Sequence, residues 1–228
     1  MFMYWDPVYF IYIAPAFLLG LWAQMRIQMA YAQAQQRVAP LSGAAAARHI
    51  LDSAGLQNVE IEEIPGRLSD HYDSRAKVLR LSQEVYESRT LAAVGIAAHE
   101  SGHAIQDARA YAPLTIRNAI VPTASLGSGL GMLMVVLGLI FSKVLVLVGI
   151  GLFSCFVFFQ LINLPVEFNA SNRAKAQLVQ LGIINEEELV YVKKVLSAAA
   201  LTYVAATLQA IMTLLYLIMR FSGGSNRD

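Results

Sequence analysis

Residues 121–166 read VPTASLGSGLGMLMVVLGLIFSKVLVLVGIGLFSCFVFFQLINLPV, and Lys143 is the only charged side chain among them. A bilayer core needs about 20 apolar residues as a helix. The stretch therefore holds two spans, 121–141 and 144–166, joined at Ser142–Lys143 by a tight hairpin. The first is rich in Gly and Ser, which lets two helices approach closely. Two more runs without Asp, Glu, Lys or Arg lie outward from this pair, at 7–25 and 195–219. The first lacks the basic start and small-residue cleavage site of a signal peptide, so it reads as a retained membrane helix. Composition agrees: 57% of residues are apolar and only 14% charged, against roughly 25% charged in ordinary soluble domains. A net charge of +1 gives no sign of a nucleic-acid partner. The single cysteine, Cys155, sits in an apolar run and is assigned no role.

An even number of spans puts the two polar segments, 26–120 and 167–194, on one side of the bilayer. Arg26, Arg37, Arg109, Arg117, Arg173, Lys175, Lys193 and Lys194 lie on that side, and Lys143, Arg220 and Arg227 on the other. The positive-inside rule then turns the polar segments toward the cytoplasm. Within 26–120 the pattern predicts a helix at 41–56 with Ser42 as N-cap and Gly55 near its end, and a strand at 58–64. A turn-rich stretch PGRLSDHYDSRAK follows, then a strand at 77–82 and a long proline-free helix at 88–111. The expected fold is a mainly α membrane protein. It comprises one membrane-embedded domain over 1–228, with about four spans and a small α+β catalytic region carrying the helix at 88–111.

That helix contains AAHESGHAIQ at 97–106. Residues four apart share a helix face, so His99 and His103 can meet one metal ion, while Glu100 projects toward an activated water. Small neighbours Ala97, Ala98, Ser101 and Gly102 permit close packing beside the site. Hydrolytic zinc keeps three protein ligands and one open position. The only other histidines, His49 and His71, precede the motif; His49, on an Ala-rich helix, reads as structural. Of the downstream acids, Asp228 falls on the opposite face, and Glu186–Glu188 read as the first turn of a helix capped by Asn185. Asp107, one turn past His103, is a candidate to orient an imidazole or to ligate. Glu167 stands where the third span emerges, on the side carrying the histidines, and is the favoured third ligand.

The pairing of HESGH, two apolar spans and EFNAS resembles the membrane-embedded gluzincin metallopeptidases, relatives of the HtpX heat-shock protease and the CAAX prenyl protease. The blocks GRLSDHYDSRAKVLRLSQEVYESRTLAAVGIAAHESGHAIQDA and LPVEFNASNRAKAQL resemble the YugP-type zinc metallopeptidases of bacteria, a likeness covering roughly residues 5–220. It implies a multi-pass peptidase of the bacterial inner membrane holding one Zn²⁺ on His99, His103 and Glu167. Ser171 stands where HtpX-type relatives carry a supporting aspartate, so that support is not implied here.

The mechanism expected is peptide-bond hydrolysis by a zinc-activated water, with Glu100 as general base. His71, Tyr72 and Arg173 are the candidates for stabilising the oxyanion. The 77–82 strand is the expected edge on which an extended, membrane-associated protein substrate pairs. A role in membrane-protein quality control follows only by analogy with relatives. Two alternatives are an intramembrane site-2-type protease and a non-catalytic metal-binding scaffold. The first places its motif inside a span and takes an Asp from a later one, which this chain lacks. The second has no need of Glu100.

Overall fold

A computed structural model describes residues 6–222; Arg227 and Asp228 lie outside them. The elements run α1 (Pro7–Gln35), α2 (Gly43–Ser53), β1 (Glu60–Ile64), β2 (His71–Asp73), β3 (Val78–Ser82), α3 (Gln83–Glu87), α4 (Leu91–Ala108), α5 (Ala112–Phe141), α6 (Lys143–Gln180) and α7 (Glu186–Ser222). The chain is mostly helical, and α1, α5, α6 and α7 are long and apolar enough to cross a membrane. Each is longer than the apolar run that predicts it. Apolarity bounds the part that lipid tolerates, whereas a helix continues until a cap or breaker stops it. For α6 the stop is Gly182, at φ 64°, where the Ile183 N–H returns to the Leu178 carbonyl at 3.0 Å. For α7 the start is a reciprocal box: the Glu188 N–H donates to Asn185 Oδ1 and the Asn185 N–H to Glu188 Oε2. That accounts for the Glu186–Glu188 run as a helix start.

The chain forms two compact units. One takes residues up to Trp22, Ile116–Leu164 and the chain from Leu201. Its buried cluster includes Val135, Val146, Phe153, Ala210 and Leu217. Here α5 and α6 touch backbone to backbone. A Cβ on Gly127 would lie 2.4 Å from the Leu152 carbonyl oxygen, and one on Gly149 would lie 2.6 Å from that of Gly131. Only Ser142 separates the two helices. The Gly and Ser content of the first of these spans thus serves this close hairpin.

The second unit takes Ala23–Thr115 and Pro165–Ala200. Both polar segments, apart from residues 116–120, therefore build one body. Ile50 of α2, Leu91 and Val94 of α4, Leu178 of α6 and Val192 of α7 share one buried cluster. Ser42 caps α2, its Oγ accepting from the Ala45 N–H, and Thr90 caps α4 by accepting from the Ala93 N–H.

The sheet order is β1-β3-β2. β3 pairs in parallel with β1, Leu79 opposite Ile61, and antiparallel with β2, Leu79 opposite Tyr72. This corrects the expectation that the 77–82 strand is an edge: it is central, and the edge toward the turn-rich stretch is β2. The chain runs through β2 before folding back through the Asp73–Lys77 turn, which inserts β3 between the other two. Asp73 holds that turn, its Oδ1 accepting from the Arg75 and Ala76 N–H groups and its Oδ2 from Arg80. Leu79 and Leu81 bury in a cluster with Ala93, Ala97 and Ala104 of α4, so one face of the sheet lies on the motif helix.

Candidate metal centre

Helix α4 presents His99 and His103 side by side, with ring centroids 4.8 Å apart and planes at 84°. Glu167, from α6, faces both. Its Oε2 lies 3.2 Å from His99 Nε2 and its Oε1 lies 3.7 Å from His103 Nε2. Glu167 is 5% exposed and His103 8%. Two protein features bring the three together. The i,i+4 spacing aligns the imidazoles. Gly102 lets α4 press on α6, because a Cβ there would lie 2.7 Å from the Ala170 carbonyl oxygen and 3.2 Å from Ala170 Cα. Gly102→Ala is accordingly expected to push α4 off α6 and draw both histidines away from Glu167. Zinc affinity measured by competition with a chelating dye should fall at least about tenfold, the scale of a lost supporting contact; unchanged affinity would refute this account of Gly102.

The donor set suits zinc. One ligand-type atom from each of the three residues lies within 4.8 Å of the others. Tetrahedral zinc with bonds of about 2.0–2.1 Å places neighbouring donors about 3.3 Å apart, and the observed 3.2 and 3.7 Å bracket that value. Each imidazole also has its other nitrogen occupied. His99 Nδ1 meets Ser171 Oγ at 3.2 Å, and His103 Nδ1 meets Gln106 Oε1 at 3.0 Å. Both Nε2 atoms are thus the ones turned toward Glu167. Ser171 thus contacts the His99 ring directly. Gln106, with no sequence signal beyond lying two turns past His99 and three residues past His103, was missed by the sequence reading.

Glu100 is only partly accessible, outside the donor trio. Burial pushes its carboxyl up to about 7; His99 opposes the rise, Glu167 and Asp70 add to it, and the Tyr72 backbone N–H pulls it down. That N–H places β2 beside Glu100.

The remaining candidates separate. His71 is exposed on β2, its Nδ1 against the Ser69 carbonyl at 2.7 Å. Because strand side chains alternate, it shares a face with Asp73 and with its cross-strand partner Arg80, away from Tyr72 and α4. It lies in a strand, not in the turn that the sequence predicts. Tyr72 reaches α4, donating its hydroxyl to Asp107 Oδ2 at 2.8 Å. Burial, and then that hydrogen bond, hold its hydroxyl protonated well above the usual range. Asp107 also pairs with Lys77 at 2.5 Å, so its carboxylate ties the β2–β3 hairpin to α4 and stands apart from the metal-ligand trio. Arg173 donates Nε–H to Asn169 Oδ1 at 2.7 Å. His49 is exposed on α2.

Four apolar helices and a helix-borne pair of histidines facing a buried carboxylate define the class: a membrane protein with a candidate metal site. The family comparison agrees. Residues 9–222 match the family described as "Putative neutral zinc metallopeptidase", and the chain belongs to that family. It is 44% identical over 223 residues to a protein of Bacillus subtilis (strain 168) named "Putative membrane protease YugP", a match covering 96% of this chain and 99% of that relative. No solved structure matches.

Proposed function

We propose that the protein is a zinc-dependent membrane endopeptidase of gluzincin type, with one ion held by His99, His103 and Glu167 and with Glu100 as general base. The observation that carries this reading is the convergence of three ligand-type atoms within 4.8 Å of one another, with Glu100 next to His99 on the same helix. A bound Zn²⁺ supplies Lewis acidity, polarising a peptide carbonyl and acidifying a water. Glu100 takes the proton from the attacking water and delivers it to the leaving amine. Proton transfer of this kind contributes about 10²–10⁴-fold. Ser171 and Gln106 orient the imidazoles, and the Gly102 contact keeps Glu167 opposite them.

The substrate pairs in extended form along β2, the strand beside Glu100. With His71 on the far face of the sheet and the Tyr72 hydroxyl donated to Asp107, Arg173 remains the candidate for the oxyanion. Glu167 directly follows the apolar run 144–166 in sequence, so cleavage takes place next to the bilayer. The distribution of Lys and Arg turns the site toward the cytoplasm of a bacterial inner membrane, a placement suited to quality control of membrane-associated proteins. Against the site-2 arrangement, the motif helix carries Asp107 in an ion pair with Lys77, as expected outside the hydrocarbon.

The detergent-purified full chain should contain one zinc per molecule and cleave an unstructured protein such as β-casein. A chelator should stop cleavage and added zinc restore it. Cleavage that persists after the metal has been stripped would overturn the reading.

A further inference from the structure

Gln106 is buried at 0% exposure, a costly place for an amide unless every donor and acceptor is paired. Its Nε2 donates to the Val166 carbonyl at 2.8 Å and to Asn169 Oδ1 at 3.0 Å. Both amide protons are then used, and Oε1 is left to face His103 Nδ1 at 3.0 Å. The direction of this chain of bonds is set at its far end. Arg173 has donors and no acceptor, so its Nε–H at 2.7 Å requires Asn169 to present oxygen there. That oxygen also accepts from Gln106, so Gln106 must turn its nitrogen toward Asn169 and its oxygen toward His103. An oxygen that only accepts requires the proton on Nδ1. A neutral imidazole carries one N–H, so the lone pair lies on Nε2, the atom facing Glu167.

We propose that Arg173, Asn169 and Gln106 form a one-way relay that presets His103 in the metal-binding tautomer, with Gln106 as its positioning residue. The inference rests on the metal-centre reading above. It also distinguishes the two histidines. His99 Nδ1 meets a hydroxyl, Ser171 Oγ, which can donate or accept and so imposes no tautomer. His103 is preset and His99 adapts. The relay links α4 to α6 through two residues of each helix, so the same bonds that fix the proton fix the ring's bearing on Glu167.

The test uses the full-length protein in detergent, with zinc affinity and the visible spectrum of the Co²⁺-substituted form as readouts. Gln106→Leu keeps bulk and removes the acceptor. It should bind zinc about 10–100-fold more weakly and show an altered Co²⁺ spectrum, with Ser171→Ala losing less. Asn169→Asp keeps the accepting oxygen that receives Arg173 and Gln106 and should leave affinity and spectrum near wild type. A folded Gln106→Leu protein with wild-type affinity and spectrum overturns the relay. If that variant does not fold, Asn169→Asp decides, and a folded aspartate variant that binds as weakly as His103→Ala overturns it. His103→Ala separates the two readings. If it leaves zinc binding intact, the metal centre itself is wrong and the relay falls with it. If it abolishes binding while Gln106→Leu changes nothing, only the relay falls.

Discussion

Replacing Glu100 with glutamine is expected to lower peptide cleavage by about 10²–10⁴-fold while zinc stays at one ion per chain. Glutamine keeps the shape and removes the ability to take a proton. The retained metal is the informative half. Glu100 is not one of the three grouped donors; it projects from α4 toward β2, where the Tyr72 N–H meets it. Its loss should therefore leave the ligand set intact and affect only proton transfer. Glutamine also matches glutamate in volume, so the substitution creates no cavity and should not lower the melting temperature. Two outcomes would refute the role. A variant that cleaves at the wild-type rate would make Glu100 a bystander. A variant that loses zinc along with activity would make it part of the metal cage.

What the sequence reveals of this fold divides along the range of the interactions involved. The four long helices are readable because lipid imposes length and apolarity on every residue of a span. The adjacency of His99 and His103 is readable because the helical repeat alone produces it. The caps at Ser42 and Asn185 are equally local. Strand order is not. β2 has three residues, His71–Asp73, flanked by Asp and Ser that also signal turns, and its pairing depends on the Asp73 turn inserting β3 between it and β1. A central strand and an edge strand of five residues have the same local pattern, so 77–82 reads as an edge although it is the centre of the sheet. Gln106 was invisible for a different reason. Its partners, Val166 and Asn169, lie 60 and 63 residues away, and a glutamine on a helix ordinarily faces water. Asp107 drew attention as the nearest acid, yet its carboxylate is bound by Tyr72 and Lys77, both from the hairpin that the sequence showed only in part.

Glu167→Ala is expected to reduce zinc affinity by more than the about 100-fold at which the loss of a supporting residue tops out, and to abolish cleavage with it. Two imidazoles from one helix are an incomplete hydrolytic site; the third donor must come from elsewhere, and the buried carboxylate of α6 is the group that faces both Nε2 atoms. Burial makes the dependence mutual. A carboxylate at 5% exposure is costly to keep charged without a cation nearby, so the ion and the side chain stabilise each other in the folded state. Zinc at 100 times its dissociation constant should therefore stabilise the wild type by about 2.7 kcal/mol, read as a rise in melting temperature that EDTA reverses. Glu167→Ala should show no such response. Glu167→Gln preserves volume and hydrogen bonding, so a loss of zinc in this variant too would locate the effect in the donor charge and not in helix packing. Asp107→Ala supplies the contrast. With its carboxylate engaged by Lys77 at 2.5 Å and Tyr72 at 2.8 Å, its removal should loosen the β2–β3 hairpin and leave zinc bound. The opposite pattern, zinc kept without Glu167 and lost without Asp107, would move the third ligand to α4 and dissolve the link between the metal and the end of the third span.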